Sequence, residues 1–219
     1  MGLRIAGIDP GLSSGAMAIV EANSDGLFLI DATEIPTIGE DHRKRIDVRK
    51  LSSWLAPLKP DHAIIERAQV MPQIADENGF RRAQGASSGF KYGRAVGMIE
   101  AMVLMMGLPL STVEPRRWKS HFNLKGGKEN KDAARQLAIR MFGEERFKLK
   151  KHHNIAEAAL IAYHAAEFFA SREQFMSGTI NRPPLAAPKQ IDLWGGLEPG
   201  GDHEASKGDA RRGRRIMVR

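Results

Sequence analysis

The chain has 219 residues, 42% of them hydrophobic, which suits one folded domain with a sizeable core, or one domain and a tail, rather than a disordered chain. Its 33 Lys and Arg against 26 Asp and Glu leave a net charge of +7, a balance that suits a polyanionic partner such as nucleic acid without requiring one. The absence of cysteine excludes disulfides and thiolate metal sites, no apolar run approaches the roughly 20 residues of a membrane helix, and the opening "MGLRIAGID" lacks the shape of a signal peptide, so a soluble cytoplasmic protein is expected.

In chain order, Leu3 to Ile8, Ala16 to Val20 and Leu27 to Thr33 read as three strands separated by turns, the pattern of an antiparallel meander. A helix is expected near Asp47 to Leu58, with Val48, Leu51, Trp54, Leu55 and Leu58 on one face. "HAIIE", residues 62 to 66, reads as a short buried strand. Near Tyr92 to Met106 a helix carries Gly93 and Gly97 four apart, spaced for close helix approach. Met98, Met102, Met105 and Met106 give it an adaptable apolar surface, either core or interface. "EPRRWKSHFNLKGGKENK" reads as a basic loop leading into the helix "KDAARQLAIRMF". The last helix, "HNIAEAALIAYHAAEFFA", has an apolar stripe from Ile155 through Ala159, Ala162, Tyr163 and Ala166 to Phe169, and its early alanines permit close approach to the sheet. From Ser177 the text is rich in Pro, Gly and charge and ends in "RRGRR". Domain boundaries of 1–171 for the folded part and 172–219 for a flexible basic tail are therefore expected.

The chemistry-bearing residues lie where these elements end. The first strand drives into Asp9 and breaks on Pro10 and Gly11. Taken alone, Asp-Pro-Gly is equally ordinary turn chemistry. The fourth strand repeats the pattern with Glu66, which could instead pair with Arg67. If the two strands are neighbours, two like charges converge at the carboxyl ends of a sheet, where open α/β sheets place their ligands, and a divalent cation with hard oxygen ligands would relieve them. At the start of the last helix Glu157 follows Asn154 by three and His153 by four, so the i, i+3 and i, i+4 pairs bring all three toward one face, although a charged first turn on an ordinary amphipathic helix has the same pattern.

"GIDPGLSSGAMAIV", "HAIIERAQVM" and "HHNIAEAALIA", in that order and with "FKYGRAVGMIEAM" and "VEPRRWK" between them, resemble the acidic motifs of the RuvC family of Holliday-junction resolvases, within the RNase H-like superfamily. The resemblance covers roughly residues 3 to 168. It implies an α/β fold with a five-stranded mixed sheet flanked by helices. It also implies a homodimer acting in DNA recombination and repair, in the cytoplasm of a bacterium or of a phage-infected host, without membrane or nucleotide cofactor. The activity implied is Mg²⁺-dependent cleavage of four-way DNA junctions, with Mn²⁺ as a substitute and two ions per site. On this resemblance Asp9, Glu66 and Glu157 are metal-binding carboxylates, with His153 a ligand or proton-transfer group. The family's last motif usually carries two acids three residues apart, and Asn154 stands here in place of the first. Its aromatic wedge after the second acid is also missing, since no ring occurs between Glu66 and Phe80.

Arg116, Arg117, Lys119, Lys125, Lys128 and Lys131 form one basic cluster, and Lys150 and Lys151 another beside the presumed metal helix, so the DNA path is expected to join the two. Three rival readings stand beside the resolvase. The phosphate loop of actin-like and sugar-kinase ATPases also opens on a strand ending in Asp, but a second nucleotide-binding half is missing here. An architectural junction binder with a decayed metal site, and a less specific RNase H-like nuclease acting on branched DNA or RNA–DNA hybrids, are the other two.

Overall fold

In a computed structural model, residues 2–40, 43–67, 74–75, 81–82, 86–125 and 131–176 are described. The meander forms as expected: β1 (Leu3–Asp9), β2 (Ala16–Asn23) and β3 (Gly26–Glu34) pair antiparallel. Two short strands, β4 (Thr37–Ile38) and β5 (Arg45–Ile46), then pair with each other, and Asp47 caps α1 (Val48–Leu55) by accepting the Lys50 backbone N–H at 3.0 Å. The α-helix stops earlier than the expected Leu58, because Pro57 removes a donor and residues 56–58 tighten into a 3₁₀ turn.

β6 (His62–Glu66) lies parallel to β1, and β9 (Leu110–Val113) lies parallel to β6 on its other side. β7 (Ile74–Ala75) and β8 (Arg81–Arg82) form a separate two-stranded ribbon. The main sheet is thus five-stranded and mixed, in the order β3-β2-β1-β6-β9. Helices α2 (Ala86–Met105), α3 (Pro115–His121), α4 (Lys131–Phe142) and α5 (His153–Met176) complete the order.

Strand alternation divides the core in two. Ala6, Ile8, Met17, Ile19, Ala63 and Ile65 face Leu51 and Leu55 of α1 and Ile99 and Val103 of α2. On the opposite face Ile5, Val20 and Ile64 meet Trp118 of α3 and the buried side of α5. α5 presses closest at Gly7, where a Cβ would collide with the backbone of Ala158 and Ala162, so only glycine on the strand and alanine on the helix allow this contact.

Several elements differ from expectation. The stretch after Glu114 is helix rather than loop from Pro115 to His121. Proline at its first turn presets φ, and Trp118 anchors it in the core. α2 begins at Ala86, six residues before Tyr92. Of its methionines, Met102 is buried, Met98 and Met106 pack partly against the core, and Met105 is exposed. Among the described residues Gly93 and Gly97 meet nothing within 4 Å of an added Cβ, so neither serves a helix contact there. α5 runs to Met176, past the expected boundary at 171, and the tail from Ser177 lies outside the described residues, as do Val70, Met71 and Phe80. Among the described residues no helix is long and apolar enough to cross a membrane.

Candidate active site

Register and alternation place the acids. Ile8 stands opposite Ile65, so the residues that follow, Asp9 and Glu66, leave two neighbouring parallel strands side by side at their carboxyl ends. Asp9 shares its face with Gly7, and Glu66 shares its face with Ile64, so both carboxylates belong to the side covered by α3 and α5. From Gly7 to Asp9 the strand advances about 6.6 Å. That is roughly one helical turn, and it carries Asp9 from the close contact at Ala158 and Ala162 toward the N-terminal part of α5, where Glu157 precedes Ala158.

The three acids feel one another. Burial, then the negative charges of Glu157 and Glu66, hold the Asp9 carboxyl well above its ordinary range, and Lys119 offsets part of that shift. Glu66 is also raised, chiefly by burial and further by Glu157, while a hydrogen bond from Trp118 and the charge of Lys119 act against the rise. Burial and the charges of Asp9 and Glu66 push the Tyr92 phenol up to about 12, which marks this α2 side chain as a neighbour of the same cluster.

The protein's own compensation comes from α3. Trp118 Nε1 donates to Glu66 Oε2 at 2.7 Å, and Lys119 Nζ lies 3.4 Å from Glu157 Oε1 and 4.9 Å from the Trp118 ring centre. Arg67 pairs with Glu114 at 3.4 Å rather than with Glu66. Trp118, Lys119 and Tyr92 are the site members that sequence reasoning missed or placed elsewhere. The one available signal was an aromatic residue three positions after a helix-starting Pro115 in an otherwise basic stretch.

At the head of α5, His153 Nδ1 lies 3.2 Å from the Lys150 carbonyl. A carbonyl only accepts, so Nδ1 carries the proton and, in the neutral ring, Nε2 keeps its lone pair. Asn154 is half-buried in the same turn. Among the described residues no three His, Asp or Glu side chains stand in metal-ligating geometry, and Glu66 and Glu157 are engaged by Trp118 and Lys119 respectively. The donor set is nevertheless hard oxygen from three elements, with more negative charge than the one lysine offsets, which is the chemistry that suits a divalent cation.

The basic residues separate. Arg116, Arg117 and Lys125 are exposed on and after α3, whereas half-buried Lys119 turns into the acid cluster. Lys150 and Lys151 are exposed in the 3₁₀ turn before α5, Lys151 lying 3.8 Å from Glu34. Arg146 is held by Asp31 at 2.5 Å. Lys131 begins α4, and Lys128 lies outside the described residues.

An open pocket of about 400 Å³ adjoins Asp9, walled by the loop of residues 10–14 and by Ser88, Lys91 and Tyr92 of α2.

No protein-family model and no curated protein sequence matches the chain. Solved structures do. The RuvC of Thermus thermophilus in complex with a Holliday junction substrate superposes with a TM-score of 0.55 at 17% identity, over 78% of this chain and 96% of that one. A second Thermus thermophilus RuvC structure gives 0.53 at 18% identity over the same shares. The yeast mitochondrial Holliday junction resolvase gives 0.52 at 16% identity, over 82% of this chain and 85% of its own. The fold is therefore the RuvC type of the RNase H-like architecture, and its structural neighbours are junction resolvases.

Proposed function

We propose that this chain is a metal-dependent endonuclease that cuts four-way DNA junctions. The observation that carries the reading is that Asp9, Glu66 and Glu157, from β1, β6 and α5, lie near one another at the carboxyl edge of a resolvase-type sheet, with Asp9 destabilised as an anion by burial and then by the other two. Asp9, Glu66, Asn154 and Glu157 would hold one or two Mg²⁺ or Mn²⁺ ions, the amide of Asn154 giving the weaker ligand. Bound divalent ions supply an activated water and neutralise charge on the attacking and leaving oxygens of a phosphodiester.

The chain's own residues do the rest. Trp118 fixes the orientation of Glu66 through its indole N–H. Lys119 keeps the three acids together before any ion arrives, at the cost of occupying Glu157. His153, with Nε2 as the basic nitrogen, can take a proton from water or return one to the leaving oxygen. Arg116, Arg117, Lys125, Lys128, Lys131, Lys150 and Lys151 would neutralise the backbone of the DNA arms. A homodimer would place two such sites on opposed strands. Phe90, Leu104 and Met105, exposed by 70%, 59% and 88% on α2, support a partner covering that helix.

A panel of labelled substrates tests this function: a four-way junction, a flap, a linear duplex and an RNA–DNA hybrid, each with Mg²⁺. Preferential cutting of the junction supports it. Equal cutting of the flap or hybrid replaces it with a less specific nuclease. Junction binding without cutting leaves an architectural protein, the outcome that Asn154 and the Lys119–Glu157 pair favour.

A further inference from the structure

The pocket beside Asp9 contains donors that the acid cluster does not use. Its floor is the β1–β2 loop, closed by a hydrogen bond from the Gly15 N–H to the Gly11 carbonyl at 3.0 Å and pinned to the next segment by the Ile35 N–H on the Gly15 carbonyl at 2.8 Å. A Cβ on Gly15 would collide with the Gly11 backbone, so the loop can close only with glycine at that end. Leu12 packs into the core from the middle of the loop, while Ser13 and Ser14 are exposed. The serines are thus held out by a fixed backbone. Across the pocket stand Ser88 and Lys91 of α2.

Three hydroxyls and an ammonium are a donor set for an anion. Among the described residues Lys91 has no ion-pair partner, and its charge is not what offsets the acids, since that role falls to Lys119. A carboxylate forms one wall, so a small free anion would be repelled there unless it were tethered at the far side. A nucleic-acid strand would meet this condition, with one phosphodiester at the acids and its neighbour against the serines and Lys91.

We propose that Ser13, Ser14, Ser88 and Lys91 bind the backbone phosphate adjacent to the one at the acid cluster, setting the position of the strand before the chemistry. The assignment deepens the junction-nuclease reading and rests on it for the identity of the strand, but it concerns binding and can be tested without cleavage.

The test measures affinity for a fluorescein-labelled synthetic four-way junction in EDTA, against salt, for the wild-type full chain, Lys91→Gln and the Ser13→Ala/Ser14→Ala double variant. Circular dichroism confirms that each folds. Single neutral methylphosphonates are placed in turn at each phosphate near the crossover. The proposal predicts that Lys91→Gln lowers the slope of log affinity against log salt by about 0.9, one phosphate contact. It also predicts one methylphosphonate position that weakens wild-type binding by about tenfold, as for one charge-assisted contact, and that weakens Lys91→Gln no further. The serine variant should show the same non-additivity at that position with an unchanged salt slope. An unchanged slope in Lys91→Gln together with undiminished methylphosphonate effects at every position overturns the subsite, as does failure of the wild type to bind the junction at all. If the wild type shows the predicted pattern yet does not cut the junction with Mg²⁺, the nuclease reading fails and the subsite stands.

Discussion

Two aspartates, both next to a basic side chain, are driven in opposite directions. Asp132 at the start of α4 accepts from Arg135 Nε at 2.6 Å and Nη2 at 3.1 Å, and from Gln136 at 3.1 Å, which pulls its carboxyl from 3.8 down to about 2. Arg135 passes the link on by donating from Nη1 to the Phe147 carbonyl at 2.8 Å. Asp9 is buried beside two other acids and is pushed up, a shift that Lys119 offsets only in part. The first aspartate is satisfied by its own fold and ties two segments together. The second is left needing positive charge that the described residues supply only in part, and such unmet need at a sheet's carboxyl edge marks it as a candidate for a bound cation.

Asp9→Asn should reduce junction cleavage by about 10³-fold or more, since the ion positions it would help define are worth several kcal/mol of transition-state charge. The same variant should be more stable than wild type in EDTA at pH 7. Because the folded carboxyl is raised, its ionisation costs stability as pH climbs through the folded value, so the gain should vanish below about pH 3.8, where the aspartate is protonated folded or unfolded. Thermal melts across pH check both halves. Gly7→Ala should destabilise the fold by about 1–3 kcal/mol through overpacking against α5, read as a lower midpoint in urea. It should also push Glu157 away from Asp9, so cleavage falls even at temperatures where the variant is folded.

Trp118→Phe removes the indole donor to Glu66 and, because the smaller phenyl leaves a gap where Trp118 is fully buried, also lowers stability, which a urea melt reads separately from activity. Leaving a half-buried carboxylate without that bond is worth about 1.5 kcal/mol, so roughly a tenfold loss of kcat is expected, with little change in junction affinity. Asp132→Asn should have the smallest effect and leave cleavage untouched. Its stability loss should be present at pH 7 and fade as pH falls from about 4 toward 2, since a depressed folded carboxyl stabilises only while ionised. His164, held neutral near a value of about 4 by burial and by the charges of His121 and Arg117, gives an independent slope. Wild-type stability should drop as pH falls from about 6.5 toward 4, and less so in His164→Phe.

Much of this site could be read from the sequence because its acids stand at the ends of long apolar runs, where strand period and a terminal charge are local signals. Asp9 and Glu66 were visible in that way, and the β1–β6 pairing then followed the usual placement of ligands in α/β sheets. Trp118 and Lys119 were not, because α3 is only seven residues long and its inward-facing side chains are interrupted by Arg116 and Arg117, so the stretch reads as a basic loop. Tyr92 was read as one end of an apolar helix, because its place beside Asp9 depends on how α2 crosses the sheet, which no window of sequence contains. The short β9 went unseen since Leu110–Val113 alone has neither length nor alternation. Gly7 carries no signal of its own in the sequence, because its role depends on α5 crossing the strand there.

The most direct test of the central claim compares wild type with Asp9→Asn on an end-labelled four-way junction, with Mg²⁺ or EDTA, mapping every nick. Paired, symmetric nicks by the wild type with Mg²⁺, absent in EDTA and absent in Asp9→Asn, are predicted. Tight junction binding with no nicks in Mg²⁺ or Mn²⁺, or equal nicking by Asp9→Asn, would contradict the assignment of these acids to a metal-dependent nuclease site.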